Sequence, residues 1–355
     1  MTSFATNAFH SHKIILFLLS VELVILIVLL LLIVLERIIN SLREKNDLAA
    51  NKKILELIIE HVEEKKQFDP KGDWEKIKSQ EQLLNQMELF DKRLSGNEWD
   101  SLKKNIARAF LLPYARKLVK NHEWTKRMLA ARCFALSPLP EDQADMFSLI
   151  DDPVFLIRRT AASAAMKLDN KEAIIKIIHR LSQEFLYTRF FYRDILLHEK
   201  SMPILKWIEE IASTEKDETI HITCLDLLAD ESFDGDFPFL AADMKSENPK
   251  IRLAAIKVHE SNPQTNSSQV LVNSLQDPEE EIRAHAALGL QNFATKENIK
   301  HLQAALSDQS WLVRSQAAKS LKIIGENGIE ILKKQNPELD PSAYEAAQYA
   351  LELNW

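Results

Sequence analysis

The feature that most constrains this sequence is a short motif that returns about every 31 residues. It consists of an Asp-Pro pair, then Ile-Arg or Val-Arg, then Ala-Ala, and self-similarity at such a period indicates a repeat array. The register arginines of the motif are Arg127, Arg158, Arg252, Arg283 and Arg314, with spacings of 31, 94, 31 and 31 residues. The chain has only 6 glycines, with 46% hydrophobic and 27% charged residues, which indicates amphipathic helices and few tight turns. The sequence therefore predicts an all-α fold, an α-solenoid of helical hairpins.

The spacing within the motif is consistent with close helix packing. The residue before the register position is apolar in Ile157, Ile220, Ile251, Ile282, Val313 and Tyr344. The third residue after it is small in Ala130, Ala161, Cys224, Ala255, Ala286 and Ala317. Positions four apart share one helix face, so neighbouring second helices of the hairpins can approach closely. Cys224 therefore fills an alanine position, and we predict a structural role for it.

A capping residue precedes each register position by four to six residues. These residues are Asp152, Asn248, Asp277, Asp308 and Asp340, and a proline follows all of them except Asp308. Such a pair predicts an N-cap and a first-turn proline at the start of each second helix. The register arginines can also donate charge-assisted hydrogen bonds to the aspartate of an adjacent repeat, which predicts a structural ladder. His221 occupies a register position and is expected to replace an arginine in that ladder.

The N-terminal segment predicts a membrane anchor. Residues 14–35 are apolar except for Ser20 and Glu22, and at ~1.5 Å per residue they can span a bilayer. No small-residue cleavage site follows, so we expect the anchor to remain uncleaved. Lys13 is the only Lys or Arg before the run, whereas five follow it closely, which predicts a cytoplasmic C-terminal side. The predicted divisions are an extracytoplasmic tail (1–13), the anchor (14–35), a helical stalk and linker (36–78) and the repeat solenoid (79–355).

The motif residues resemble HEAT repeats, and the short form resembles the HEAT-like repeats of phycobilisome lyases over residues 112–355. This resemblance implies a binding scaffold with an extended concave surface, although a minority of such proteins are enzymes. The layout of one span, a charged stalk and then repeats also resembles bacterial membrane-anchored HEAT-repeat proteins, often encoded beside polysaccharide-synthesising glycosyltransferases. That resemblance implies a location in the bacterial inner membrane and a protein partner that is a membrane glycosyltransferase or another cell-envelope assembly enzyme.

Three regions are candidate contact sites. Within the span, Glu22 either pairs with a polar residue of a partner helix or is protonated or directed outward. The motif is lost over residues 185–193, where the residue types are those enriched at interface hot spots. The candidate partner-binding residues there are Phe185, Tyr187, Arg189, Phe190, Phe191, Tyr192 and Arg193. Alternatively, these aromatic side chains fill a bend where the repeat geometry changes.

The third candidate region is basic. Residues 101–132 carry nine Lys or Arg against one acidic residue, whereas residues 201–355 carry 14 basic and 25 acidic side chains. The predicted membrane-surface basic face comprises Lys103, Lys104, Arg108, Arg116, Lys117, Lys120 and Lys126. Anionic lipid headgroups attract such clusters, and a nucleic-acid groove is the weaker alternative, because the chain is tethered and its net charge is −7.

No complete catalytic constellation is visible, and we predict no cofactor and no enzymatic activity. The one metal hypothesis uses three His-Glu pairs, His122-Glu123, His198-Glu199 and His259-Glu260, because deoxyhypusine hydroxylase, a HEAT-repeat enzyme, binds iron through such pairs. Here the pairs lie at −5, +9 and +7 from their register positions, so a common ring of ligands is not expected. Cys133 and Cys224 are too few for a disulfide framework and are expected to be reduced and buried.

Overall fold

The computed structural model of the chain describes residues 2–198, 202–230 and 236–353, and the regular structure in these ranges is entirely helical. Side chains are described for these residues except 2–21, 24, 43, 198, 202 and 203. The chain divides into two compact units, Met1–Ser137 and Pro138–Trp355. The all-α prediction is confirmed.

The first unit begins with one very long helix. Its helices are α1 (Thr2–Val62), α2 (Gln80–Asp91), α3 (Asn97–Ile106), α4 (Leu112–Leu118) and α5 (Trp124–Leu136), with a short 3-10 helix at Asp73–Lys76. The end of α1 buries Ile54, Leu57 and Ile58 and packs on α2 and α3. The apolar side of the predicted stalk therefore docks into the first unit, and the stalk is helical as far as Val62.

The helices α3 and α4 form one continuous helix rather than two. Five residues of π-helix, Ala107–Leu111, join them without a turn. Residue 112, where the predicted HEAT-like range begins, therefore lies inside this helix and not at a helix start. Pro113 lacks the backbone N–H of an α-helical residue, and its ring crowds the preceding turn; a π-bulge widens that turn and lets the helix continue.

The second unit is a series of seven helical hairpins among the described residues. Its helix pairs are α6 (Gln143–Ile150) with α7 (Phe155–Met166), α8 (Lys171–Gln183) with α9 (Leu186–His198), α10 (Met202–Thr214) with α11 (Glu218–Ala229), α12 (Leu240–Asp243) with α13 (Pro249–Ser261), α14 (Ser267–Ser274) with α15 (Glu280–Gly289), α16 (Lys296–Ala305) with α17 (Trp311–Ile324), and α18 (Glu326–Lys333) with α19 (Pro341–Glu352). Successive helices are thus paired as hairpins along the part of the chain that carries the motif, so the α-solenoid prediction is confirmed.

The second helices pack on one another through their small residues. α13 lies between α11 and α15, and α17 lies between α15 and α19. The predicted small positions Ala130, Ala161, Cys224, Ala255, Ala286 and Ala317 are all fully buried. A larger side chain at these positions would separate the helices, which explains the recurring alanine and confirms the structural role of Cys224.

The predicted ladder is present between the repeats of the second unit. The guanidinium of Arg252 donates to both carboxylate oxygens of Asp277 at 2.9 and 3.0 Å. Arg283 donates to Asp308 in the same way at 2.8 and 3.0 Å. The remaining guanidinium nitrogen of Arg283, Nη1, donates at 2.9 Å to the backbone carbonyl of Asp277. We call each arginine–carboxylate pair a rung. Successive rungs are linked, because Asp277 accepts from Arg252 through its carboxylate and from Arg283 through its backbone carbonyl.

The capping prediction is correct at two positions and wrong at three. Asn248 and Asp340 are N-caps, and a first-turn proline follows each. Asp152, Asp277 and Asp308 lie two residues before the N-caps of their helices. Each accepts the N–H of the residue two positions on, at 2.8 to 3.0 Å, which closes a tight turn. In Asp277 and Asp308, this geometry leaves the carboxylate facing the arginine of the preceding repeat.

The ladder varies where the motif varies. His221 bonds through Nδ1 to the carbonyl of Ala212 at 2.8 Å and through Nε2 to Asp243 at 3.0 Å, which confirms its predicted place in the ladder. The bond to Asp243 raises the pKa of His221 above its usual value. Arg314 donates to the carbonyl of Asp308 at 2.9 Å, but its buried Nε has no hydrogen-bond partner among the described residues. The carboxylate series therefore ends at Asp308.

We expect Asp308→Ala to destabilise the second unit by ~3 to 5 kcal/mol, because it leaves the nearly buried Arg283 without its carboxylate. The measurement is urea unfolding of the purified protein. Lys300→Ala is the matched control, because its ion pair with Glu297 is exposed and contributes ~0 to 1 kcal/mol. Equal losses in the two variants would contradict a structural role for the ladder.

Candidate partner-binding surface

The start of α9 is shaped by one buried carboxylate, Glu184. α8 ends at Gln183 and α9 begins at Leu186, so only two residues connect them. Glu184 turns inward and accepts from Arg158 at 2.7 and 3.1 Å and from Arg180 at 2.8 Å. It takes the place that Asp277 and Asp308 hold in other rungs. Because Glu184 occupies the buried side of this two-residue connection, Phe185 and the first residues of α9 face solvent.

The residues that follow Glu184 are large, apolar and exposed. The exposed fractions are 84% for Phe185, 78% for Leu186, 89% for Tyr187 and 67% for Phe190. Leu156 on the neighbouring helix α7 is also exposed. We call these five residues the aromatic surface. A cluster of large exposed apolar side chains marks an interaction site more often than scattered single residues do.

The rest of the predicted aromatic cluster faces the interior. Tyr192 is fully buried, so its predicted role in partner contact is wrong. Burial raises the pKa of Tyr192 to about 12, and its hydroxyl donates to Glu184 at 3.4 Å. Phe191 is half-buried against Phe155, with ring centroids 5.5 Å apart, and Arg159 lies 4.7 Å over its ring. Both predicted roles of the aromatic segment therefore apply to part of it. Tyr192 and Phe191 fill the interior, whereas Phe185, Tyr187 and Phe190 are exposed.

A groove of about 270 Å³ adjoins the aromatic surface. Leu186 and Phe190 of α9 form one wall, and residues of α11 form the other. The charged groups at the groove are held by neighbours. Arg193 pairs with Asp230, Lys257 lies 4.0 Å from Asp226, and Arg189 donates to Thr223 at 3.3 Å. The groove thus combines an apolar wall with side chains that can exchange their present partners for those of a ligand.

The basic face is less uniform than predicted. Lys104, Arg108, Arg116, Lys117 and Lys120 are exposed and Lys126 is half-buried, as a surface cluster requires. Lys103 differs, because it is largely buried and pairs with Asp91 at 2.8 Å and with Asp100 at 3.2 Å. Its predicted membership of the face is wrong, since acidic residues outside the run of 101–132 neutralise it.

The other predicted sites are dispersed. Glu22 lies on an exposed side of α1. His122 and Glu123 are exposed and 3.7 Å apart. His259 is buried and bonds to Ser267 at 2.7 Å, whereas Glu260 pairs with His285 at 2.6 Å. Of the His198-Glu199 pair, the His198 side chain and all of Glu199 lie outside the described residues. No group of three potential metal ligands occurs among the residues that were described.

Both cysteines are buried and unpaired. Burial raises the pKa of the Cys133 thiol and of the Cys224 thiol to about 12. A thiol held in this way carries almost no thiolate near neutral pH, so neither group is a reactive nucleophile. Arg132 acts to lower the pKa of the Cys133 thiol, but the effect of burial is larger.

A family model described as HEAT repeats matches residues 237–322 and 268–352. The chain is a HEAT-like repeat protein. The matched region lies within the range 112–355 in which the motif predicted HEAT-like repeats, and it contains the rungs of Arg252 and Arg283. Among curated proteins, no sequence match was found.

Several solved repeat structures are similar to this HEAT-like repeat protein. Human deoxyhypusine hydroxylase in complex with glycerol is 16% identical over 71% of this chain and 97% of its own, with a TM-score of 0.29. The Escherichia coli protein YibA is 15% identical over 74% and 99%, with a TM-score of 0.37. A designed armadillo repeat protein is 17% identical over 70% and 95%, with a TM-score of 0.22. At these scores, the assignment rests on the family match and the hairpins.

We expect Glu184→Gln to destabilise the HEAT-like repeats, and the loss to depend on pH. Burial alone would raise the pKa of Glu184, but hydrogen bonds from Arg158, Arg180 and Thr188 outweigh it and hold the pKa at about 2. A lowered pKa stabilises the fold above the ordinary value of 4.5, and this contribution is lost as pH falls toward 2. Thermal unfolding of both proteins should therefore differ most near neutral pH and converge in acid. A constant difference would contradict this.

Proposed function

We propose that this HEAT-like repeat protein is a membrane-anchored scaffold or regulatory subunit that binds a protein partner through the aromatic surface. The observation that carries the proposal is the exposure of Phe185, Leu186, Tyr187 and Phe190 beside a groove. A repeat unit gains nothing by exposing four large apolar residues within a stretch of six, whereas a partner that covers them removes that area from water.

The composition of the surface favours a protein over a small molecule. Aromatic and arginine side chains dominate binding energy at protein interfaces, and Arg189 and Arg193 flank the apolar wall here. The groove holds about 270 Å³, which is below the ~300 to 1,000 Å³ of typical small-molecule sites. A helix or extended segment with apolar side chains could place them on Phe190 and Leu186, and its polar groups could reach the charged wall of α11.

The membrane part of the proposal is supported by α1. The part of this helix from Ile25 to Val62 is long and apolar enough to cross a bilayer. Its most apolar stretch of 18 residues has no buried residue. We propose residues 14–35 as the anchor, with residues 1–13 outside and the repeats in the cytoplasm, because the positive charges follow the span. The partner is then membrane-associated; the resemblance of the layout favours a glycosyltransferase or a related cell-envelope enzyme of the bacterial inner membrane.

The geometry of α1 disfavours lipid as the main ligand of the basic face. Between the end of the anchor and Ile54, the first buried residue of α1, an uninterrupted helix rises ~28 Å at ~1.5 Å per residue. Attraction to headgroups falls off within about 8 Å at physiological salt. Because α3 packs on α1, which buries its apolar residues from Ile54 onward, we infer that the basic residues of α3 lie beyond the reach of the headgroups, and we assign the function to the aromatic surface.

The partner proposal is tested by affinity purification of the full-length protein in mild detergent, followed by mass spectrometry. Phe185→Ala with Phe190→Ala should remove a stoichiometric partner, because both side chains are exposed and truncation leaves the core intact. Leu339→Ala is the matched control, since Leu339 is equally exposed but far along the chain. A partner retained by the double variant, or no partner at all with well-folded protein, would contradict the proposal.

The topology is tested by labelling single cysteines in intact cells with a membrane-impermeant maleimide. We expect Ser3→Cys to react from outside and Leu339→Cys to react only after permeabilisation. The wild-type protein is the control for its two buried thiols. The reverse pattern would place the repeats outside the cytoplasm, and alkaline extraction of the protein from membranes would exclude the anchor.

A further inference from the structure

The stalk part of α1 carries exposed apolar residues that the first unit does not use. Leu48 is 72% exposed, and Leu55 and Ile59 are exposed on the same side. The buried side of the stalk holds Ile54 and Ile58, which face α2 and α3. Leu48, Leu55 and Ile59 thus form a second apolar stripe, about a third of a turn around the helix from the first.

The spacing of this stripe is that of a heptad repeat. Leu48, Leu55 and Ile59 are seven and four residues apart, which corresponds to successive d, d and a positions. Continued toward the N-terminus, the same positions hold Ile27, Leu31, Val34 and Ile38. We call these seven residues the seam. The positions between its two parts hold Ser41 and Lys45, and Lys52 interrupts the stalk part. An unbroken helix therefore carries one seam from the predicted span into the stalk.

We propose that the seam pairs with the seam of a second copy of this chain, giving a parallel two-stranded coiled coil that begins in the membrane. This inference rests on the anchor of the proposed function. Two copies inserted in one bilayer have the same orientation and the same depth, so their heptads meet in register without any further determinant. No other occupant is matched to the seam over its whole length in this way.

The charges of the stalk fit a dimer rather than a larger bundle. Lysine at a core position lowers the stability of a coiled coil but specifies its register and oligomeric state. Lys52 and Glu56 form an ion pair at 3.8 Å along one helix, and both are exposed, so the same groups can pair between copies. Because two core lysines weaken the stalk, the pairing depends on the high effective concentration that the membrane provides.

The seam leaves the other contacts of α1 free. Asp47 accepts a hydrogen bond from Gln82 of α2 on the docked side of the helix, away from the seam. Glu22 corresponds to an f position, on the side of the helix opposite to the seam. A dimer therefore buries neither the docking contact nor Glu22, and the acid remains available to a different membrane protein.

The test is oxidative cross-linking, in native membranes, of variants of the full-length protein that each carry one added cysteine. We expect Leu48→Cys and Leu55→Cys to form disulfide-linked dimers, because d-position side chains of two parallel helices approach closely. Asn46→Cys and Lys53→Cys are the controls, since they lie on the same helix at b positions, away from the seam; Asn46 is exposed and Lys53 is half-buried. Wild-type protein should not cross-link, because Cys133 and Cys224 are buried. Several-fold more dimer at the seam positions supports the proposal.

Equal cross-linking at all four positions would indicate random collision and overturn the proposal, and so would no cross-linking at any. A second series uses Ile59→Cys with Leu48→Asp and Leu55→Asp, which should lose its cross-link, whereas Asn46→Asp with Lys53→Asp should keep it. Resistance of each variant to alkaline extraction establishes insertion, so a negative result is assigned to the seam and not to the anchor. Capture of a partner through Phe190 is measured separately and does not depend on the dimer.

Discussion

The second unit depends on one carboxylate that performs two tasks at each turn between helices. The side chain of Asp277 closes the turn that starts its own second helix and receives the arginine of the preceding repeat. Its backbone carbonyl receives the arginine of its own repeat. The orientation of each hairpin is therefore coupled to that of the previous one through directional, charge-assisted bonds, while the buried alanines set how closely the helices approach.

The proposed binding surface arises where a different carboxylate, that of Glu184, pairs with the register arginine. At the junction of α8 and α9, Glu184 supplies the carboxylate from one residue after the end of the first helix, and the connection shortens to two residues. The shorter connection carries Phe185 and places Leu186 and Tyr187 where no neighbouring helix covers them. Further on, α11 packs on α8 and α13, which leaves the groove beside Phe190. The short connection around Glu184 therefore both stabilises this junction and exposes its apolar residues.

Most of the fold could be predicted from the sequence, because each repeat is a local unit whose signals are repeated. The pairing of Arg252 and Arg283 with aspartates of adjacent repeats, the buried small residues and the place of His221 were predicted correctly for this reason. The helical connection at Pro113 could not be predicted, because a proline usually ends a helix and only the surrounding packing decides whether a π-bulge forms. The aromatic segment was recognised by composition alone. Its division into buried Tyr192 and exposed Phe190 depends on the direction that Glu184 takes, and no pattern in one sequence specifies that.

The ladder also bears on how the chain reaches its structure. Each rung joins residues only 25 or 26 positions apart, so the loop closed by forming it is short. Short loops cost little chain entropy, and folding of the second unit can therefore begin wherever a pair of complete rungs occurs and spread by one repeat at a time. The rungs of Arg252 and Arg283 share Asp277 and are the natural starting point. Between α9 and α11 the described contacts are the bond from Arg189 to Thr223 and the partly exposed ion pair of Arg193 with Asp230, and neither is a buried two-bond rung. This region should therefore be ordered last and open first. A partner that covers the aromatic surface would slow that opening and lengthen the lifetime of the whole array.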